Sequence, residues 1–310
     1  MTALVCGSIA YDTVMVFPGR FREHILPDRI HMLNVAFLVP SMKRNFGGCA
    51  GNIAYSLGLL GVPGAPMATV GHDFEPYQRW MQASGVDLDY VRVLDDEFTA
   101  QAFITTDLDD NQITAFHPGA MSRSQLNEVP ADGRVKLGVV APDGRDGMIA
   151  HAAQFAQAGI PWLFDPGQGL PMFDRADLLD FIANATWVAV NDYEGQLLEE
   201  RTGLSVGEIA RRVRALIVTK GAQGSVIHAA GREMVIPAAR PDAVADPTGC
   251  GDAYRAGLIY GLMNELDWET TGRVASLMGA LKIAHAGTQN HRFTMNEFRD
   301  RFRAAFGRDL

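Results

Sequence analysis

Short apolar runs rich in β-branched residues alternate with helical patterns through most of this 310-residue chain, and that rhythm leaves few folds open. A strand covered on both faces reads as an unbroken apolar run, and such strands separated by helices belong to a parallel sheet with helices on either side. Strands are expected at Ala3 to Gly7, Ala65 to Val70, Leu137 to Ala141, Pro161 to Asp165, Trp187 to Asn191 and Leu216 to Lys220. Helices are expected between them, and the chain after Asp252 reads as wholly helical. The expected fold class is therefore α/β, a doubly wound, mostly parallel sheet with helices on both faces. A hydrophobic share of 47% is ample for a large core, and without a flexible linker or tandem repeat residues 1–310 read as one domain.

Two stretches break the rhythm. Residues 13–43 carry scattered apolar residues and several turns, and 99–117 alternate around Asp109-Asp110-Asn111 in the manner of a hairpin. Together they are expected to form a small β lid over the strand ends, where ligands of such sheets bind. Edge hairpins on the main sheet are the alternative.

Composition narrows the partners. Cys6, Cys49 and Cys250 are scattered and form no CxxC pair, so neither a disulfide framework nor a zinc site is indicated and a reducing cytoplasm fits best. A net charge of −9 opposes non-specific nucleic-acid binding. No apolar run reaches the length of a membrane span, and the N-terminal run stops at Asp12 without a basic flank, unlike a signal peptide. A small molecule is the expected partner.

The stretch Asp246-Pro247-Thr248-Gly249-Cys250-Gly251-Asp252 leads directly into an apolar helical run from Ala253. Amides at a helix start carry partial positive charge, and glycines let the backbone close around an anion. Asp252 alone would read as a capping residue. With glycines beside it, a hydroxyl can sit between a general base and an anion hole, the arrangement that phosphoryl transfer needs. Gly47-Gly48-Cys49-Ala50-Gly51-Asn52 also opens an apolar helix, where simple chain geometry competes with close approach of a ligand. Asn191-Asp192-Tyr193-Glu194 follows a strand and by itself reads as a capping box. Thr219-Lys220-Gly221-Ala222-Gln223-Gly224 is a glycine turn after another strand. The chain has no P-loop, and Gly7-Ser8-Ile9-Ala10 does not meet the dinucleotide fingerprint.

Together these motifs resemble the ribokinase-like (PfkB) family of sugar and nucleoside kinases, whose signature is Asp-Thr-x-Gly-Ala-Gly-Asp or a close variant. Thr248, Gly249, Gly251 and Asp252 match, and Cys250 stands where alanine is usual. The resemblance implies that Asp252 is the catalytic base and that the amides of Gly249, Cys250 and Gly251 stabilise charge on the transferred group. It implies substrate contacts from Gly47, Gly48 and Asn52, which match the family's Gly-Gly-x-Gly-x-Asn element with Ala50 in place of a glycine. Asp12 stands where the family places a carboxylate that accepts hydrogen bonds from sugar hydroxyls. Asn191 and Glu194 match the Asn-x-x-Glu motif that helps hold Mg2+ and its waters. Thr219, Gly221 and Gly224 resemble the nucleotide loop, with Thr248 and Asn290 as further ATP contacts. Asp246 occupies the place at which several relatives hold a monovalent cation, so ATP and Mg2+ are the implied cofactors and K+ an optional one.

The expected activity is ATP-dependent phosphorylation of the ribose 5′-hydroxyl of a nucleoside. The runs Phe-Gly-Gly-Cys-Ala-Gly-Asn and Phe-His-Pro-Gly-Ala-Met look most similar to the microbial adenosine and nucleoside kinases of the family, so adenosine is favoured, with inosine and guanosine beside it. Phe37, Phe46, Phe103 and Phe116 offer faces for a purine unless they pack the lid, and Gln101 and Gln168 can bond its edges. A ribose or fructose kinase is the alternative, and a non-catalytic nucleoside or sugar binding protein a rival of another class. Both a monomer and a homodimer remain open.

Overall fold

The computed structural model describes residues 1–25, 34–109 and 111–310. Part of the first irregular stretch (26–33) and the hairpin-tip residue Asp110 lie outside the described residues. Strand β1 (Thr2–Cys6) opens a main sheet, which β2 (Ala10–Val16) and β3 (Ser41–Gly47) leave for a second, smaller one. The chain returns through α1 (Cys49–Leu59), β4 (Gly64–Gly71), α2 (Glu75–Ala83) and β5 (Val91–Leu94). It leaves again for β6 (Ala100–Thr106) and β7 (Gln112–His117). Then follow β8 (Val135–Val140), α3 (Arg145–Ala158), β9 (Trp162–Phe164), α4 (Arg175–Asn184), β10 (Trp187–Asn191), α5 (Asp192–Thr202), α6 (Val206–Ala210) and β11 (Ala215–Thr219). A hairpin of β12 (Ser225–Ala229) and β13 (Arg232–Ile236) precedes α7 (Cys250–Met263), α8 (Trp268–Ile283) and α9 (Met295–Phe306).

The main sheet has the order β13-β12-β11-β10-β9-β8-β1-β4-β5 and is parallel from β5 to β11. Period-two alternation sends successive residues of one strand into different cores. Ala3 and Val5 of β1 join Leu137 and Val139 of β8 against α1, α7, α8 and α9, whereas Leu4 and Cys6 join Val140 against α3, α4 and α5. The doubly wound architecture is as expected. The β12–β13 hairpin and β5 are additions to it: β13 and β5 are the edge strands, and none of the three shows a long apolar run.

From β1 the chain builds outward to β4 and β5, then restarts at β8 on the other side of β1. That reversal opens a crevice at the carboxyl ends of the strands. Over it lies the small sheet, of order β3-β2-β6-β7. Its two central strands are parallel, Asp12 opposite Ala102, and antiparallel hairpins flank them. It is a sheet in its own right and not a pair of edge hairpins. No described helix is long and apolar enough to cross a membrane.

Candidate active site

The crevice encloses a cavity of about 740 Å3. From the main body its lining includes Ser8 after β1, Asp143 after β8, Asp165 after β9, Asn191 at the end of β10, Thr219 at the end of β11, and the first turn of α7. The small sheet supplies Ala10, Asp12, Ala102, Ile104, Thr114 and Phe116, which alternate along their strands and so share one face.

Helix α7 begins without a side-chain cap. Its N-cap, Gly249, has φ 77°, a left-handed conformation natural to glycine. Helices α4, α5 and α9 begin instead with a side chain that closes a capping box. The Cys250 amide, one of the three expected in the anion hole, donates to the Pro247 carbonyl at 3.1 Å. The amides of Gly249, Gly251 and Asp252 have no hydrogen-bond acceptor among the described residues. A hole here is therefore displaced by one residue, to Gly249, Gly251 and Asp252. A Cβ built on Gly251 meets no protein atom within 4 Å, so that position opens onto free space.

Asp252 accepts a 2.7 Å bond from Asn52 Nδ2 of α1, and Asn52 Oδ1 accepts from Gln289 Nε2 at 3.0 Å. Gln289 is anchored in turn by Trp80 Nε1 at 2.9 Å and by a bond to the Tyr77 hydroxyl. This chain of donors fixes one carboxylate oxygen of Asp252. Burial pushes its carboxyl up to about 7 and the charge of Asp165 adds to the rise, while the Asn52 bond and the Arg255 charge oppose it. A carboxyl raised this far can exchange a proton near neutral pH. Burial, with the charges of Asp252 and Asp165, holds the neighbouring Cys49 thiol well above its ordinary range.

Sequence reasoning missed Arg255, one helical turn beyond Asp252. Its guanidinium is buried, pairs with Asp165 Oδ1 at 2.8 Å and lies 3.9 Å from Glu194 Oε2. The i to i+3 spacing from Asp252 on an apolar helix was the available signal.

Glu194 and Asn191 form the capping box of α5, with Asn191 N donating to Glu194 Oε2 at 2.8 Å and Glu194 N to Asn191 Oδ1 at 2.7 Å. Both also line the cavity, so the cap holds them at its wall. Burial and the Asp165 charge raise the Glu194 carboxyl above its usual range. Its other oxygen has no hydrogen-bond partner among the described residues.

Asp12 faces the cavity from β2, and burial with the Asp246 charge pushes its carboxyl up to about 6. Gly47 lies beside it, and a Cβ there would come within 2.5 Å of Asp12 Oδ2. Gly48 joins Asp12, Asn52, Phe116, Gln168, Asn191, Glu194, Thr219, Thr248, Gly249, Gly251 and Asp252 in the lining.

Other expectations are not met. Gln101 lies on the opposite face of the small sheet, its amide buried and donating to Thr13 Oγ1 at 2.6 Å. Phe37 packs against Phe17 and Phe21, and Phe46 stacks on Tyr77 and Trp80. Phe103 shares the Gln101 face, which leaves Phe116 as the cavity phenylalanine among those four. Asn290 is exposed and bonds the Ala286 carbonyl. Gly221 and Gly224 shape the turn from β11 to β12, where a Cβ on Gly224 would strike the Ile236 carbonyl, and neither lines the cavity. Asp246 sits behind the α7 turn, outside the lining.

Comparisons with known proteins bear on the family and the fold. A family model described as pfkB family carbohydrate kinase matches residues 10–294. A nucleoside kinase of Methanocaldococcus jannaschii is 31% identical over 261 residues, 83% of this chain and 85% of its own. The structure of Burkholderia thailandensis nucleoside kinase in complex with inosine superposes with a TM-score of 0.90 at 55% identity, covering 99% of both chains. The same enzyme in complex with ADP-inosine gives a TM-score of 0.88 at 56% identity over 99% of this chain and 97% of that one.

Proposed function

The chain belongs to the pfkB family of carbohydrate kinases, and from that premise we propose that it transfers the γ-phosphoryl group of ATP to the ribose 5′-hydroxyl of a purine nucleoside, adenosine first and inosine beside it. That it is an ATP-dependent kinase with a hydroxyl acceptor, of the nucleoside-kinase kind, follows from the relatives. The observation that carries the finer reading is the Asp252 carboxylate at the uncapped start of α7, raised by burial and set opposite a sheet face that offers both Asp12 and Phe116.

In this reading Asp252 takes the proton of the 5′-hydroxyl while Asn52 holds its other oxygen in place. The amides of Gly249, Gly251 and Asp252 receive the charge of the transferred group. Asp12 accepts hydrogen bonds from ribose hydroxyls, and the half-exposed ring of Phe116, with Met172 and Ile104 near it in the lining, offers an apolar surface to the base. Magnesium, when bound with ATP, neutralises phosphate charge. The unengaged oxygen of Glu194 suits a water on such an ion, because Mg2+ keeps most of its waters. Asn191 positions that carboxylate through the cap, and Thr219 and Thr248 line the side on which we place the nucleotide.

The test is ADP release from Mg-ATP with adenosine, inosine, guanosine, ribose and fructose as separate acceptors. Nucleosides should give the highest kcat/KM; a preference for ribose or fructose would leave the base pocket without a purpose. Phe116→Ala should raise the nucleoside KM about tenfold without changing the melting temperature, the scale of one lost stacking contact.

Gly251→Ala isolates the anion hole. The added methyl touches no protein atom, so the fold should keep its melting temperature, but it projects into space the phosphoryl group needs. We expect kcat to fall roughly tenfold, consistent with a misplaced reacting group. A variant with wild-type kcat would move the hole elsewhere.

A further inference from the structure

Lys282 is fully buried in the last turn of α8, a place where a lysine would ordinarily reach water. Its Nζ donates to the Asp246 carbonyl at 2.7 Å and to the His285 carbonyl at 3.2 Å. The same joint ties Asp246 to the end of α8 through other bonds. Ala245 N and Asp246 N both reach the Ile283 carbonyl, at 2.8 and 3.1 Å. The two oxygens of the Asp246 side chain accept the amides of Thr248 at 2.9 Å and Gly287 at 2.8 Å. Burial works to raise the Asp246 carboxyl, but these amides outweigh it and keep the group ionised below the usual carboxylate range.

A monovalent cation held at Asp246 needs free carboxylate or carbonyl oxygens around it. Here each carboxylate oxygen already accepts one amide, and a protein ammonium bonds the carbonyl of the same residue, where its charge repels a second cation. The residues do not fit a resident potassium ion. We propose that the Lys282 ammonium is a built-in monovalent cation for the loop that carries the α7 anion hole, so that phosphoryl transfer needs no potassium.

The chemistry supports the exchange. An ammonium, like K+, is a single charge that carbonyl oxygens satisfy, and it has three donors to spend on them. Asp246 is two residues before Thr248 and three before the α7 N-cap, so a cation on its carbonyl fixes the turn from which Gly249 and Gly251 present their amides. Burial draws the Lys282 ammonium below its ordinary pKa, while the charges of Asp246, Cys250 and Asp252 pull the other way. Its charge also reaches the phosphoryl side, adding to the positive start of α7. A lysine that merely closed the end of α8 on its own carbonyl would bond His285 and have no need of Asp246. Lys282 is accordingly a positioning residue and touches no substrate.

The inference rests on the anion-hole reading of α7, and the experiment separates the two. Wild-type kcat is measured with adenosine and Mg-ATP at fixed ionic strength in KCl, NaCl and choline chloride, and the three values should agree within about twofold. Lys282→Ala removes the cation and leaves a cavity beside two carbonyls and a carboxylate. In choline its kcat should drop about tenfold with little change in nucleoside KM, and KCl or NH4Cl should restore much of the loss. Its melting temperature should rise with KCl and not with choline, since a ligand that binds only the folded state stabilises it. Lys282→Met, which fills the space with an apolar chain, should be as slow and show no rescue. Wild-type activation by potassium over choline, or a Lys282→Ala enzyme that keeps full rate in choline, overturns the proposal. If Lys282→Ala fails to fold, the wild-type salt series still decides. A Gly251→Ala enzyme with unchanged kcat faults the anion-hole reading instead.

Discussion

Asp252→Asn is expected to lower kcat at least about a hundredfold while nucleoside and ATP dissociation constants stay near wild type, the lower end for losing a general base. The substitution keeps an oxygen for the Asn52 amide to bond and replaces the other with an uncharged amide nitrogen that cannot take up a proton. It should also make the protein more stable at alkaline pH. A carboxyl pushed up to about 7 in the folded state takes protons more readily there than in the unfolded chain. Its contribution is therefore fully favourable below the ordinary carboxylate range and is lost as pH rises through 7. At pH 8 the wild type carries the whole penalty of a half-buried charge and the asparagine variant carries none. We expect the variant to melt higher at pH 8 by roughly 3 °C or more, with the gap closing toward pH 4. Turnover within tenfold of wild type would remove Asp252 from the proton transfer, and equal melting at both pH values would mean its carboxyl is not raised.

The second large effect belongs to Arg255. Arg255→Met leaves Asp165 buried without its 2.8 Å partner and strips Glu194 of its nearest cation. Breaking a buried pair on one side costs about 3–5 kcal/mol, so a fall in melting temperature of roughly 10 °C is expected. The kinetic consequence distinguishes this from a general weakening. The Arg255 charge lowers the Asp252 carboxyl and the Asp165 charge raises it. The acid limb of the kcat profile should therefore move to higher pH in Arg255→Met and to lower pH in Asp165→Asn. Should the methionine variant fail to fold, Arg255→Lys, which keeps the charge but loses the planar fork, and Asp165→Asn still report. Shifts in the same direction for Arg255→Met and Asp165→Asn would show that neither group tunes the base.

The parallel sheet was legible because β1, β8, β10 and β11 are apolar on both faces and stand out against the helices. The residues that converge on the cavity were legible where backbone conformation constrains identity, as at Gly48 with φ 87° and Gly249 with φ 77°. Ionised side chains in the interior were not. Arg255 and Lys282 lie within helical runs, where a basic residue reads as solvent-facing, and only the fold reveals carboxylates and carbonyls around them. The face of a strand was equally hidden for Gln101. Its neighbour Ala102 pairs with both Asp12 and Phe116, so a one-residue difference in register separates a cavity contact from a buried bond to Thr13. The expected role of the Cys250 amide failed for a more local reason, since the turn spends that donor on Pro247.

The small sheet joins the main body at its start through Gly7 to Ile9 and leaves β3 through Gly48 alone, while its second hairpin enters after β5 and leaves before β8. Everything it presents to the cavity is therefore written in two short blocks of sequence, residues 10–47 and 100–117, and the α7 and strand-end groups lie in neither. The face that the small sheet turns to the cavity can thus change through substitutions in those two blocks that leave the α7 and strand-end groups as they are.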